Sequence, residues 1–130
     1  MTFEVMTYPN KSNLTPSFFI QMKGNYAGRP MNKPIHNCVA VYSDSPYLFE
    51  LVYLLFKGKK FTIYLKGSVI PFVRINDVRE VINIGIEKFN PEKIKLLKKI
   101  NLFDMVVSNH KEQIRLYQMA QMAVCIEYLR

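Results

Sequence analysis

The last forty residues of the chain constrain its fold more than any other segment. After Asn90-Pro91-Glu92, where a capping residue precedes a proline suited to the first helical turn, neither glycine nor proline occurs up to Arg130. We therefore expect helix over nearly all of this length. Its apolar residues recur at alternating steps of four and three, which is the spacing of a coiled-coil seam. The seam comprises Leu96, Ile100, Phe103, Val107, His110, Ile114, Tyr117, Gln121, Val124 and Tyr128.

Two arrangements of this segment are compatible with the pattern. One continuous helix would extend about 55–60 Å, and its far half would need another chain to cover it. A break at Ser108-Asn109-His110, where helix-favouring residues are lacking, would instead give a helical hairpin. We expect a homodimer or a complex with a partner protein through the seam. The residues expected to carry this contact are Ile100, Phe103, Val107, His110, Ile114, Tyr117 and Val124.

The preceding ninety residues predict a small mixed or curved β-sheet. Strand formers dominate residues 17–22, and residues 38–42 are continuously apolar, which indicates a strand buried on both faces. Residues 61–65 alternate as in a third strand. Residues 69–73 predict a fourth strand, at an edge or bulge because of Pro71.

Helices are predicted at two places in this part of the chain. Ser45-Pro46 resembles an N-cap followed by a first-turn proline, and opens a helix through Lys57 that stops at Gly58. Asn76 would cap a short helical turn over residues 77–81, followed by a last short strand over residues 83–86. The sequence thus predicts a single α+β domain, with a core over residues 1–90 and a helical arm over residues 91–130.

The chain is basic, with 18 Lys and Arg against 10 Asp and Glu. The excess of eight positive charges is spread along the chain, and such a surface attracts polyanions because each cation that neutralises a phosphate releases a counterion. An ordinary basic surface is the alternative.

The most apolar run, residues 47–56, is too short to cross a bilayer and is interrupted by Glu50. The N-terminus lacks a secretion signal, so we expect a cytoplasmic protein without a membrane segment.

No catalytic constellation stands out in the sequence. His36 lies near Cys38, but a cysteine within an apolar run is expected to be buried and inert. His110 falls in the seam, where an interface residue is expected. No glycine-rich phosphate loop precedes a helix. We therefore expect no enzymatic activity, cofactor, metal site or disulfide, with Cys38 and Cys125 as free thiols.

Several short motifs resemble known families. Gly67-Ser68 with its following apolar run, Asp77-Val78, Ile82-Asn83-Ile84 and the long C-terminal helix resemble the end of a target-recognition domain in type I restriction-modification specificity subunits. A second set resembles a family of short uncharacterised bacterial proteins. It comprises Lys23-Gly24-Asn25, Gly28-Arg29-Pro30, Lys33-Pro34 and Asn37-Cys38. The first resemblance implies a curved sheet with a helical arm, and non-catalytic binding of duplex DNA.

A DNA-binding surface would combine cations that position phosphates with groups that reach base edges. Three lysines cluster at the end of the first predicted helix, and residues 24–34 form a loop with amide, aromatic and guanidinium groups. The alternative roles are helix termination, solubility of an edge strand, and for Arg74 an ion pair with Asp77 or Glu80. The candidate nucleic-acid-binding residues are Lys23, Asn25, Arg29, Lys33, Lys57, Lys59, Lys60, Lys66 and Arg74.

Overall fold

A four-stranded antiparallel sheet organises the first part of the chain. The computed structural model describes every residue from Met1 to Arg130 and separates them into two units, Met1–Pro91 and Glu92–Arg130. The strand order is β1-β4-β2-β3, and every pairing is antiparallel. The strands are β1 (Phe3–Thr7), β2 (Phe18–Gln21), β3 (Pro30–Met31) and β4 (Cys38–Ser43).

Strand β4 is central because both of its faces are apolar. Val39 and Val41 point to one face, where they join Val5, and Cys38 and Ala40 point to the other. The prediction of a strand buried on both faces is confirmed for residues 38–41. Sequence analysis did not predict β1, a short strand whose edge position is set only by its pairing with β4.

Two helices cover one face of the sheet, α1 (Leu48–Lys57) and α2 (Ile75–Glu87). Their buried residues recur at helical spacing, for example Val78, Val81 and Ile82 in α2, so each helix presents one apolar side to the strands. The fully buried core of this unit contains Val5, Ile20, Val41, Leu48, Val52, Val78 and Ile82.

The start of α1 differs from the prediction, whereas its end is confirmed. Ser45 does not cap the helix; its hydroxyl accepts a hydrogen bond from the Tyr47 N–H (3.2 Å), so Pro46 lies in a turn ahead of the first helical residue. Gly58 ends the helix as predicted, and its N–H donates to the Leu54 carbonyl (2.8 Å).

Three predicted strands are wrong. Residues 61–65 instead contain a short 3₁₀ helix, Thr62–Tyr64, and the two residues of this group that contact the core are Phe61 and, partly buried, Tyr64. Residues 69–73 form only isolated bridges at Phe72. Residues 83–86 continue α2, because buried Ile82 and Gly85 extend its apolar side by one further turn. The short helical turn expected over residues 77–81 is thus the middle of a longer helix.

The C-terminal unit is a single helix, α3 (Lys95–Tyr128), preceded by a 3₁₀ turn over Pro91–Ile94. Ser108-Asn109-His110 remains helical, so the hairpin alternative is not adopted. No residue of α3 is buried.

None of the helices combines the length and the apolar character that a membrane span requires. The predicted α+β class, with a small sheet, a packed helix and a long C-terminal helix, is confirmed.

Gly28 provides a test of this packing. Its backbone is left-handed (φ +96°), and an added Cβ would lie 2.6 Å from the ring of buried Phe61. Gly24 has nearly the same φ (+95°), but a Cβ there would meet only Gln21 Nε2 at 3.5 Å. We expect Gly24→Ala to lower the free energy of unfolding by about 1–2 kcal/mol from backbone strain alone. Gly28→Ala should cost a further ~1–3 kcal/mol from overpacking.

Urea denaturation of the two alanine variants measures this difference. Equal losses of stability would contradict the close contact between the Gly28 backbone and Phe61.

Candidate nucleic-acid interface

Phe72 is paired on both sides by antiparallel bridges. On one side, the Lys66 and Phe72 backbones exchange two hydrogen bonds of 2.8 and 2.9 Å. On the other side, the Val73 N–H donates to the Met22 carbonyl (2.9 Å) and the Gly24 N–H to the Pro71 carbonyl (2.8 Å), which places Lys23 opposite Phe72. Phe72 is therefore paired both with Lys66, six residues earlier across a turn, and with the distant segment around Lys23.

This pairing places two lysines beside one aromatic ring. Residues directly opposite in an antiparallel pair point to the same face, with Cα atoms about 4.5 Å apart in a non-hydrogen-bonded pair and about 5.5 Å in a hydrogen-bonded one. Lys23 and Lys66 are both exposed, and Phe72 between them is 37% exposed. We call Lys23, Phe72 and Lys66 the basic row.

The turn that returns the chain to Lys66 depends on Gly67. Its φ is +91°, and a Cβ there would overlap the Ile70 carbonyl oxygen. Glycine is therefore required at this position for a turn tight enough to bring Phe72 back opposite Lys66.

A cleft of about 800 Å³ adjoins the basic row at the end of the sheet where β1 and β2 finish and β4 begins. We call it the sheet-end cleft. Its lining includes the exposed aromatic residues Tyr8 and Phe72, and the exposed basic residues Lys23, His36 and Arg74. No acidic side chain lines it. The cleft therefore combines aromatic surface with a cationic edge.

A second depression, of about 410 Å³, brings three further candidate residues together: Asn25, Lys57 and Lys59. Tyr26 and Phe61 contribute to the same surface. Lys57 also lies 5.7 Å from the centre of the Tyr53 ring.

All eight cationic candidates come from two stretches of chain without any acidic residue. Residues 5–43 hold four Lys and Arg, residues 51–76 hold five, and neither stretch contains Asp or Glu. The backbone pairing at Phe72 brings Lys23 of the first stretch beside the second stretch, so Lys23, Lys66 and Arg74 lie close together. This grouping arises from tertiary contacts and cannot be inferred from the net charge of the chain.

Two carboxylates of α2 border this surface. Arg74 Nε is 3.8 Å from Asp77 Oδ2, the ion pair that sequence analysis offered as the alternative role of Arg74. The Arg74 side chain is 64% exposed, so the pair is weak and leaves the guanidinium largely accessible. Burial, together with a hydrogen bond to Glu80, raises the pKa of Tyr64, which stays neutral at physiological pH.

Three candidate residues, Arg29, Lys33 and Lys60, lie outside the basic row and both depressions. The Arg29 guanidinium donates to Gln21 Oε1 (2.9 Å) and stands 4.9 Å from the centre of the Tyr26 ring, so it supports the loop from inside. Lys60 borders a groove between α1 and α2. Lys33 is exposed in the segment that follows β3.

Most of the predicted seam of α3 is exposed. Phe103, Tyr117 and Val124 are each at least 69% exposed, and Ile114 is 56% exposed. Ile100 is half-buried, and Val107 and His110 are exposed. Apolar side chains also occupy other sides of the helix. They include Leu102, Met105, Leu116, Met119 and Ile126.

Comparison with known proteins assigns the chain to a family. The model of a family of unknown function, DUF6943, matches residues 5–127. The chain belongs to this family. No curated protein and no solved structure matches it. The expected membership of an uncharacterised family is thereby confirmed.

Sequence analysis of this DUF6943 chain missed Phe72. The residue lies in a short segment that the sequence predicted as an edge strand, and its importance arises from pairing with Lys23, 49 residues earlier. The only local signal was the glycine at position 67, which marks the turn.

The two cysteines of the DUF6943 chain test the cleft directly. Cys38 lines the sheet-end cleft but is only 5% exposed, whereas Cys125 is exposed on α3. We expect the thiol of the Cys125→Ser variant to react with a water-soluble disulfide reagent at least about tenfold more slowly than that of Cys38→Ser, because the buried thiol reacts only after local opening.

The rates are read from the absorbance of the released thiolate, with both variants repeated in denaturant as a control for intrinsic reactivity. Fast reaction of Cys38 in the folded protein would contradict the burial of its side chain beneath the cleft.

Proposed function

We propose that this chain is a non-catalytic nucleic-acid-binding module. The observation that supports this most directly is the basic row, two exposed lysines held on either side of a half-exposed aromatic ring. Cations that track phosphates, together with aromatic rings on which bases stack, form the usual binding surface for single-stranded nucleic acids. The same cations can contact the phosphates of a duplex.

The charges around the basic row support the same proposal. Lys23 and Arg74 border the sheet-end cleft, Lys66 flanks Phe72, and Lys57 and Lys59 border the second depression. If all five neutralise phosphates of a duplex, the logarithm of the binding constant should fall with the logarithm of salt concentration with a slope of about −4 to −5.

Duplex DNA is the ligand implied by the resemblance to target-recognition domains. The α+β unit followed by a long helix is compatible with that resemblance, and a cytoplasmic location is part of the proposal.

Substitution of the two lysines of the basic row tests the proposal. We expect Lys23→Gln with Lys66→Gln to weaken binding of a mixed-sequence duplex and to reduce the salt slope by about 2, because two phosphate contacts are lost. The measurement is fluorescence anisotropy of a labelled duplex over a range of salt concentrations.

The matched control is Lys11→Gln with Lys88→Gln, which removes the same two charges at positions outside the basic row and both depressions. Equal losses in the two double variants would mean that binding follows net charge alone. Absence of binding at low salt would overturn the proposal.

We propose, as a second function, self-association through α3. The supporting observation is a 34-residue helix without a single buried residue, with large apolar side chains along its predicted seam. Helices in water gain most of their stability by burying an apolar side, so an uncovered one is favoured to pair. The resulting assembly would be a homodimer, with a different partner protein as the alternative.

Charged substitutions in the seam test this second function. Ile114→Glu with Tyr117→Glu should abolish concentration-dependent association, because it would bury two carboxylates in the contact. Leu116→Glu with Met119→Glu is a matched control, since both residues are exposed apolar positions outside the seam and the charge change is the same.

Sedimentation equilibrium over a hundredfold range of concentration reports the association. A monomer at all concentrations, or loss of association in the control but not in the seam variant, would contradict the assignment.

A further inference from the structure

The sheet-end cleft has features that duplex binding does not require. Its volume of about 800 Å³ lies within the range of small-ligand sites, and its lining includes the exposed rings of Tyr8 and Phe72 and the partly buried Met22. Phosphates of a duplex would be met at the cationic rim alone, which would leave this aromatic and apolar surface uncovered. The cleft is therefore suited to a ligand with a flat, apolar body as well as a negative charge.

Two aromatic rings line the cleft and are held in place by the fold. The backbone that carries the Phe72 ring is fixed by bridges on both of its sides. Tyr8 is 38% exposed, and its ring packs edge-on against Phe19 with centroids 4.9 Å apart. Rings held in this way lose little conformational freedom when a planar group stacks on them.

Polar groups at the rim can contact the remaining parts of such a ligand. Lys23 and Arg74 supply positive charge for a phosphate. Asn76 Oδ1 already accepts a hydrogen bond from Arg79 (2.8 Å), which leaves its amide N–H groups as donors. The Asn37 carbonyl accepts from the Met22 N–H (3.0 Å), which fixes the backbone that carries the Asn37 amide on the opposite rim.

We infer that the sheet-end cleft receives one unstacked nucleobase, with its adjoining phosphate held by Lys23, Lys66 and Arg74. This inference rests on the proposed nucleic-acid binding. A base can enter only when it is free of its own stack, so a single strand binds more tightly than a duplex. The same chemistry is offered by a free mononucleotide, and binding measurements with both ligands distinguish the two sources.

The test compares a labelled 12-nucleotide single strand of mixed sequence with the duplex of the same sequence, by fluorescence anisotropy at one salt concentration. We expect the single strand to bind at least about fivefold more tightly, as one stacked base would give. Phe72→Leu should lose this advantage while its affinity for the duplex stays within about twofold, since the cations are unchanged.

Two further variants serve as controls. Phe72→Tyr keeps an aromatic ring and should retain the preference for the single strand, which separates stacking from a general disturbance of the bridges. Tyr47→Leu removes an exposed ring at the start of α1, outside the cleft, and should change neither affinity. Circular dichroism melting of each variant establishes that it is folded.

The outcomes separate this inference from the function on which it rests. In one outcome, the single strand and the duplex bind with equal, salt-sensitive affinity that Phe72→Leu does not change. That result would overturn the base-binding cleft and leave nucleic-acid binding in place. Tight binding of adenosine monophosphate with no preference between strand and duplex would also overturn it, in favour of a small-molecule site. Binding of neither polymer at low salt would overturn both proposals.

Discussion

Burial of one face of the sheet beneath α1 and α2 is the constraint on which the first unit depends. Val73 lies in this core, and its N–H pairs with the Met22 carbonyl just before α2 begins. Successive side chains of an extended chain point to opposite sides, so the two neighbours of a buried residue point outwards. Phe72 and Arg74, the neighbours of Val73, are both exposed. The packing that stabilises the fold therefore also positions the aromatic ring and a cation of the candidate interface.

The second unit differs from the first because none of the residues of its helix is buried. Within α3 the apolar seam is regular, yet apolar residues also lie on other sides of the helix, so its surface offers more than one possible contact. Ion pairs such as Arg115 with Glu112 stabilise the exposed helix only modestly. If α3 pairs two copies, two basic rows would act together on one polymer, and their effective concentration would raise the overall affinity without any new contact. The two proposed functions are thus compatible.

Sequence reasoning succeeded where the signal was local. The continuously apolar β4, the glycine that ends α1 and the long helix without breakers each follow from a few adjacent residues. It failed where pairing between distant segments decides the structure. Residues 61–65 and 69–73 have the composition of strands, but Phe61 and Val73 are the only buried residues among them. Residues 83–86 also resemble a strand, but they extend a helix whose buried apolar side begins at Val78. The basic row was missed for the same reason, since Lys23 and Lys66 become neighbours only through Phe72.

The central claim is that nucleic acid contacts the basic row and the adjoining sheet-end cleft. Amide chemical shifts of the full 15.3 kDa chain, followed by two-dimensional NMR during titration with a short DNA oligonucleotide at low salt, test this claim most directly. The account predicts that the largest shifts fall on Lys23, Gly24, Lys66, Phe72 and Arg74. Shifts concentrated on α3, or no shifts at saturating oligonucleotide, would contradict it.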